Sequence, residues 1–320
     1  MKALRYDGFG PADRLYLADV PEPDCPPGGF RIRVHAASLN PLDWKIRAGH
    51  FALVPGFERP PRGVGSDFAG VIVGVGGGAT RHYLGQRVFG SLPAPGRQGG
   101  FAESIAVAGE ALVAIPDGVS FEAAAALPIA GGTAVQALEA HARLQPGQRL
   151  LVTGAAGGVG HFAVQLGKHL GATVTAVCGP ANADFVRALG ADDVVDYTRE
   201  DFLHRGTRYD VVFDAACSSH FFACRRVLAH TGVYINTSGS AGAALRTAAA
   251  GVFARLASAQ RAVALVLANR KPLWERLARH AAAGVLRPQI VQRIKLADVA
   301  AAQRAMETGH GRGKIVVTLA

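Results

Sequence analysis

The run Leu150-Leu151-Val152-Thr153-Gly154-Ala155-Ala156-Gly157-Gly158-Val159-Gly160 decides how this chain folds. An apolar strand, a glycine turn and a helical stretch over residues 161–170 follow in the order that a dinucleotide-binding βαβ unit requires. Gly157 removes a side chain where a diphosphate must approach the backbone, and Gly160 lets the helix pack close on the strand. The start of the helix then offers unpaired N–H groups and the positive end of its dipole to the phosphates. Ala155 stands where the first glycine of a G-x-G-x-x-G motif would be, so the reading rests on the strand and helix around the turn. It assigns Ala156, Gly157, Gly158, Val159 and Gly160 to cofactor binding. The rival reading is a glycine turn with a structural role only.

Outward from the turn, strands alternate with helices. Residues 149–153, 173–177, 193–195 and 210–214 read as strands, and 158–170 and 182–189 as helices, a pattern that predicts βαβ crossovers and a parallel sheet. Upstream, residues 1 to 115 read as short strands between turns. Arg31-Ile32-Arg33-Val34-His35-Ala36 alternates polar with apolar as a half-buried strand does, and Val71–Val75 and 86–89 are further strands bounded by glycine. The last strand, over 314–319, is expected to return to this first unit. The expected fold is α/β in two domains: a discontinuous β-barrel unit of residues 1–117 and 285–320, and a doubly wound unit of residues 118–284.

The following strand ends at Cys178-Gly179-Pro180-Ala181-Asn182, with no acid before Asp184 to hold a ribose 2′-hydroxyl. A neutral end of this kind admits a 2′-phosphate and favours NADPH over NADH. Cys178, Asn182 and Tyr197 are the residues placed at that end. Asn182 has two open roles, donor to the phosphate or N-cap of the next helix, and Arg199 reads as an exposed loop charge.

Composition narrows the remaining classes. The net charge is +10, from 34 Lys and Arg against 24 Asp and Glu, but the basic residues are scattered singly and form no nucleic-acid-binding run. Cys25, Cys178, Cys217 and Cys224 form no C-x-x-C pair, so neither a zinc lobe nor a disulfide framework is expected. The chain starts on strand-like residues 1–6, and a cytoplasmic protein without a targeting peptide is the expectation. The apolar stretch 241–267 is interrupted by Arg246, Arg255 and Arg261, which argues for a buried or interface helix rather than a membrane span.

The chain resembles the medium-chain dehydrogenase/reductases, within them the quinone oxidoreductase and enone (alkenal) reductase branch. The segments that carry the resemblance are 37–47 (ASLNPLDWKIR), 65–71 (GSDFAGV), 99–103 (GGFAE), Leu127-Pro128, Gly132-Thr133-Ala134, the glycine turn, 189–192 (LGAD) and 313–317 (GKIVV). Such a resemblance implies a GroES-like barrel domain, a Rossmann domain, an active cleft between them, and a homodimer. The catalytic zinc ligands of alcohol dehydrogenases of this fold match Asn40, Ser66-Asp67 and an apolar residue near Ile129 here, too few metal-ligating types for zinc. The implied activity is zinc-independent, NADPH-dependent reduction of quinones or of the C=C bond of α,β-unsaturated carbonyl compounds.

By family position Asn40 contacts the nicotinamide or the substrate, Phe51 lines the pocket, and Thr133 sits near the nicotinamide ribose, with helix packing as its alternative. Lys45 stands where quinone-reducing relatives often carry tyrosine. It is the candidate donor to the developing oxyanion, with a solvated helix lysine as the alternative. Asp43 reads as a helix cap. Two rivals remain: an enoyl-thioester reductase, and a non-enzymatic RNA-binding or interaction protein that responds to NADPH.

Overall fold

Leu150, Leu151 and Val152 are fully buried, as a parallel strand covered by helices on both faces must be. They lie in a computed structural model that describes every residue except 55–56, 80, 94–96, 238–240, 258, 269, 310 and 320. In chain order the first part holds β1 (Lys2–Tyr6), β2 (Tyr16–Asp19), β3 (Gly29–Ser38), α1 (Pro41–Arg47), β4 (Arg62–Gly63), β5 (Asp67–Val75), β6 (Arg87–Ser91), β7 (Ser104–Ala108) and β8 (Leu112–Ala114). The connecting helices α2 (Phe121–Ala125) and α3 (Pro128–Val135) follow. Then come β9 (Arg149–Thr153), α4 (Gly160–His169), β10 (Thr173–Cys178), α5 (Ala183–Ala188), β11 (Asp193–Asp196), β12 (Tyr209–Asp214), α6 (Phe221–Cys224) and β13 (Leu228–Asn236). The chain closes with α7 (Ala241–Ala257), β14 (Arg261–Ala264), α8 (Lys271–Ala282), β15 (Ile290–Lys295), α9 (Val299–Glu307) and β16 (Lys314–Thr318).

The second part is a six-stranded sheet in the order β11-β10-β9-β12-β13-β14, every pair parallel. This is the doubly wound order, in which ligands bind outside the carboxyl ends of the strands where the order reverses. That point lies between β9 and β12, and the glycine turn leaves β9 there.

The first part is antiparallel. Phe30, Ile32 and Val34 of β3 are buried and Arg33 is exposed, the alternation expected of a sheet with one solvated face. Late in the chain, β16 pairs antiparallel with β3 (Val316↔Ser38, Val317↔Ala37), and β15 pairs parallel with β16. The C-terminal strand therefore lies beside the segment that leads into α1. A single hydrophobic cluster joins the parts: Ala36, Ala69, Phe89 and Val316 pack with Leu127, Ala134, Leu150, Phe162 and Val164.

Gly160 is where the crossover is tightest. A Cβ there would stand 2.1 Å from the Gly154 carbonyl oxygen, a distance no side chain tolerates, so helix and turn pack this closely only with glycine. The apolar stretch near 241–267 divides into α7 and the edge strand β14, with Ala250 and Ala254 buried against the sheet. Position 258 of that stretch lies outside the described residues. Among the described residues no helix is long and apolar enough to cross a membrane, and all four cysteines are free thiols.

Candidate active site between the two sheets

Two local structures meet at the carboxyl end of β9. One is the turn into α4. Gly157 N–H donates to Gly154 O at 2.9 Å, and His161 N–H donates to Gly157 O at 3.1 Å. The amides of Gly158, Val159 and Gly160 find no acceptor among the described residues. A helix of this length with free first-turn amides has the donors and the dipole end that suit an anion. The turn is roofed by the segment before β16: Gly313 N–H donates to Ala156 O at 2.8 Å, and a Cβ on Gly158 would meet only Gly313 O and Lys314 Cδ, both at 3.6 Å. The donor set and the open backbone fit a dinucleotide diphosphate.

His161, which sequence reasoning left without a role, pins this turn. The fully buried ring donates from Nδ1 to Gly157 O at 2.9 Å and accepts at Nε2 from the Gln289 N–H at 3.3 Å, so its partners select the neutral form. Burial, more than any neighbouring charge, pushes its pKa down to about 4. The unfolded chain takes up this proton near pH 6.5, whereas the folded chain takes it up only near 4. Stability is therefore lost as pH falls through that window. His161→Gln keeps a donor and an acceptor but cannot titrate. It should flatten the acid limb of the stability curve by about 1.4 kcal/mol per pH unit between pH 6 and 4.5. Urea midpoints measured across that range check this, and parallel curves for the two proteins would refute it.

The other local structure is the start of α1. Pro41 opens the helix, and the Asp43 carboxylate accepts the Asn40 backbone N–H at 2.8 Å, confirming the capping reading of Asp43. The far end of α1 is held by Arg47, which is fully buried and bonded to Gln303 Oε1 at 2.9 Å and to Gly10 O and Glu307. The Asn40 side chain is spoken for internally: Nδ2 donates to Asp67 Oδ2 at 2.8 Å and Oδ1 accepts from Lys314 Nζ at 2.7 Å. Lys314 Nζ also donates to Leu39 O at 2.9 Å.

Asp67 in turn accepts from Ser38 Oγ (3.1 Å) and from the Ile129 backbone N–H (3.2 Å) at the start of α3. Thr133, one turn along α3, is buried and donates to Ile129 O at 2.6 Å, the helix-packing contact that was its alternative role. Ser66 Oγ reaches Asp43 at 3.1 Å. Burial pushes the Asp43 carboxyl up to about 7 and raises Asp67, against the pull of Lys314 and the donors around it; burial likewise lowers Lys314. Removing such ions from water costs on the order of several kcal/mol each, which the hydrogen bonds must offset.

Residues 40, 66–67 and 129 thus converge, as the resemblance to zinc enzymes implies for those positions. What they present is an amide, a hydroxyl, a carboxylate and a main-chain N–H, with an ammonium bonded to the amide. Zinc at a catalytic centre takes His, Cys and carboxylate ligands, and among the described residues no group of three such side chains stands together. The donor set does not fit zinc. Lys314 had been noted in the sequence only as part of a terminal family segment. No local sequence signal marks it, because its burial arises only once β16 lies beside β3.

Lys45 is half-buried on α1, its Nζ 5.7 Å from the Trp44 ring centroid. The ring of Phe51, half-buried, stacks on Phe57 with centroids 5.1 Å apart. At the end of β10 Cys178 is buried, and Asn182 occupies the N-cap of α5 without a capping side-chain bond. The Tyr197 hydroxyl lies over Gly179, 3.1 Å from where its Cβ would be. No acid follows β10 before Asp184, but pairing with β11 sets Asp196 beside Cys178. Its Oδ1 accepts from the Thr198 N–H and hydroxyl at 3.0 and 2.7 Å. Arg187, paired with Asp184 at 3.0 Å, is the cation that bears on Cys178.

Residues 26–117 match the family model described as alcohol dehydrogenase GroES-like domain, and residues 189–317 match the one described as zinc-binding dehydrogenase. The chloroplast envelope quinone oxidoreductase homolog of Arabidopsis thaliana is 36% identical, covering 99% of this chain and 98% of its own. The NADPH-dependent alkenal/one oxidoreductase of the same plant is 38% identical, covering 67% of this chain and 57% of its own. Among solved structures, the quinone oxidoreductase from Coxiella burnetii superimposes with a TM-score of 0.88 at 31% identity, covering 100% of this chain and 99% of that one.

Proposed function

Because the chain belongs to the medium-chain dehydrogenase/reductases, in the quinone oxidoreductase and alkenal/one reductase branch, it is an oxidoreductase that uses a nicotinamide cofactor; we propose that it is a zinc-independent, NADPH-dependent reductase of quinones or of the C=C bond of α,β-unsaturated carbonyl compounds. The observation that carries this reading is the free-amide turn of Gly158, Val159 and Gly160 lying against Lys314, whose ammonium is bonded to Asn40 at the head of α1. A bound dihydronicotinamide supplies a hydride. An acceptor that already carries a conjugated carbonyl takes up the resulting charge on its oxygen, so a donor side chain meets the need that a Lewis acid meets for a simple alcohol. Lys45 is the donor we assign, with Phe51 as an apolar wall of the pocket.

What supports NADPH over NADH is that Thr198 engages the Asp196 carboxylate, and that Arg187, exposed and held only by the surface pair with Asp184, is the cation near this end of β10 that a 2′-phosphate could recruit. Cytoplasmic residence and a homodimer belong to the same proposal, and the edge strand β14 offers a place for the second copy. A non-enzymatic role in binding polyanions would rest on a basic hollow of about 440 Å³ lined by Arg208, Arg225, Arg226 and His230. That hollow lies at the amino ends of β12–β14, the wrong end of a doubly wound sheet for ligand work, and Arg225 and Arg226 are engaged with Gln260 and His204.

The test is NADPH oxidation against a panel of quinones, enals, enones and an enoyl thioester, with NADH as control. Turnover of quinones or enones with NADPH preferred is the expected result. Reduction of the thioester alone would move the chain to the enoyl-thioester reductases, and no turnover with any acceptor would sink the proposal.

A further inference from the structure

The carboxylate of Asp67 and the ammonium of Lys314 are joined through the side chain of Asn40 rather than by a direct ion pair. Asn40 Oδ1 faces the ammonium and Nδ2 faces the carboxylate. The reversed amide would set an NH₂ against an NH₃⁺ and a carbonyl against a carboxylate, so the two charges fix the amide in one orientation. Each partner also belongs to a different piece of the site. Asn40 caps α1, the helix of Lys45. Asp67 takes the N–H of Ile129 at the start of α3. The stem of Lys314 passes beside Gly158 in the cofactor turn, its Cδ 3.6 Å from where a Cβ on that glycine would stand, and the residue before it bonds Ala156. Lys314 is 2% exposed, so its charge does nothing for solubility.

We infer that Lys314 is a positioning residue of the site, its buried ammonium registering α1 and the Asn40 amide against the cofactor turn, as a bound metal cation would between the same segments. The inference rests on the reductase reading for its catalytic consequence but not for its binding consequence. Sheet pairing brings the three segments together (Val316↔Ser38 and Ser38↔Asp67), and the charge at the centre then fixes how the Asn40 amide is turned between them. An uncharged side chain of equal length would still fill the space beside Gly158 but would leave the amide free to turn over.

The experiment compares wild type, Lys314→Met, and Lys314→Met/Asp67→Asn by melting temperature, NADPH affinity, emission of the bound dihydronicotinamide, and kcat and KM on the best acceptor of the panel. Lys314→Met should melt lower and lose at least tenfold in kcat, with Kd for NADPH within about threefold of wild type, since the stem contact with the turn is kept. The double variant removes both charges and should regain most of the lost melting temperature. Its kcat should stay low, because an amide at 67 accepts either orientation of Asn40. Recovery of kcat together with melting temperature would reduce Lys314 to a stabilising residue and overturn the inference, as would an unchanged kcat in Lys314→Met. Emission of bound NADPH reads the same registration without turnover: it should differ between wild type and Lys314→Met at similar Kd, and identical emission counts against the inference. A wild type that binds NADPH, shows that emission difference and reduces nothing would sink the reductase reading while leaving Lys314 in its role.

Discussion

A Gly158→Asp variant keeps its fold and loses its cofactor. The position tolerates a side chain structurally: its φ is not left-handed, and an added Cβ meets only Gly313 O and Lys314 Cδ at an ordinary 3.6 Å. The carboxylate it introduces stands at the free amides of Gly158, Val159 and Gly160, where it takes the place of a diphosphate and repels one. Affinity for NADPH should fall at least 100-fold, about 2.7 kcal/mol or more, with the melting temperature of the unliganded protein nearly unchanged. Calorimetric titration with NADPH and with NADP⁺ measures this. Affinity within a few-fold of wild type would mean that the diphosphate lies elsewhere. Gly160→Ala would be a poor substitute test, because its Cβ collides with Gly154 O and the fold itself suffers.

Lys45→Ala is expected to lower kcat on enones by about a hundred- to a thousandfold, the scale seen when one donor to a developing oxyanion is removed. Lys45 sits on the helix that Asn40 caps and is only half-buried, so its loss opens no cavity in the core and should leave the melting temperature within a degree or two. Cofactor affinity should also hold, since the turn is built from residues 154–160 and 313–314. The combination to look for is low kcat at constant Kd for NADPH, with Lys45→Arg retaining part of the rate because it keeps a cationic donor. Equal kcat in Lys45→Ala and wild type would make Lys45 a surface charge and leave the oxyanion without an assigned donor.

These two tests fall on opposite sides of what a sequence can disclose. The glycine turn was legible because all of its physics is local: strand, turn and helix occupy adjacent residues, and the apolar run over 150–152 and the glycines at 154, 157, 158 and 160 state the geometry directly. The alternation of β3 and the helix–strand alternation after residue 148 placed the two architectures for the same reason. The far wall of the site was not legible. Lys314 and Asn40 are 274 positions apart, and nothing in either neighbourhood announces that β16 will return beside β3 and bring an ammonium to that amide. Asp196 escaped for the same reason. The chain after β10 carries no acid before Asp184, whereas parallel pairing with β11 supplies one sideways.

By itself, then, the amino-acid sequence determined the α/β class, the crossover at β9–α4 and the glycine turn that joins them, because backbone periodicity and glycine sterics act between near neighbours. Only the tertiary structure decided that Asn40 spends its amide on Asp67 and Lys314, that His161 is a neutral pin, and that the segment before β16 roofs the turn. Those outcomes depend on buried polar groups meeting partners from across the fold, and such a group has no signature until its partners have been brought to it.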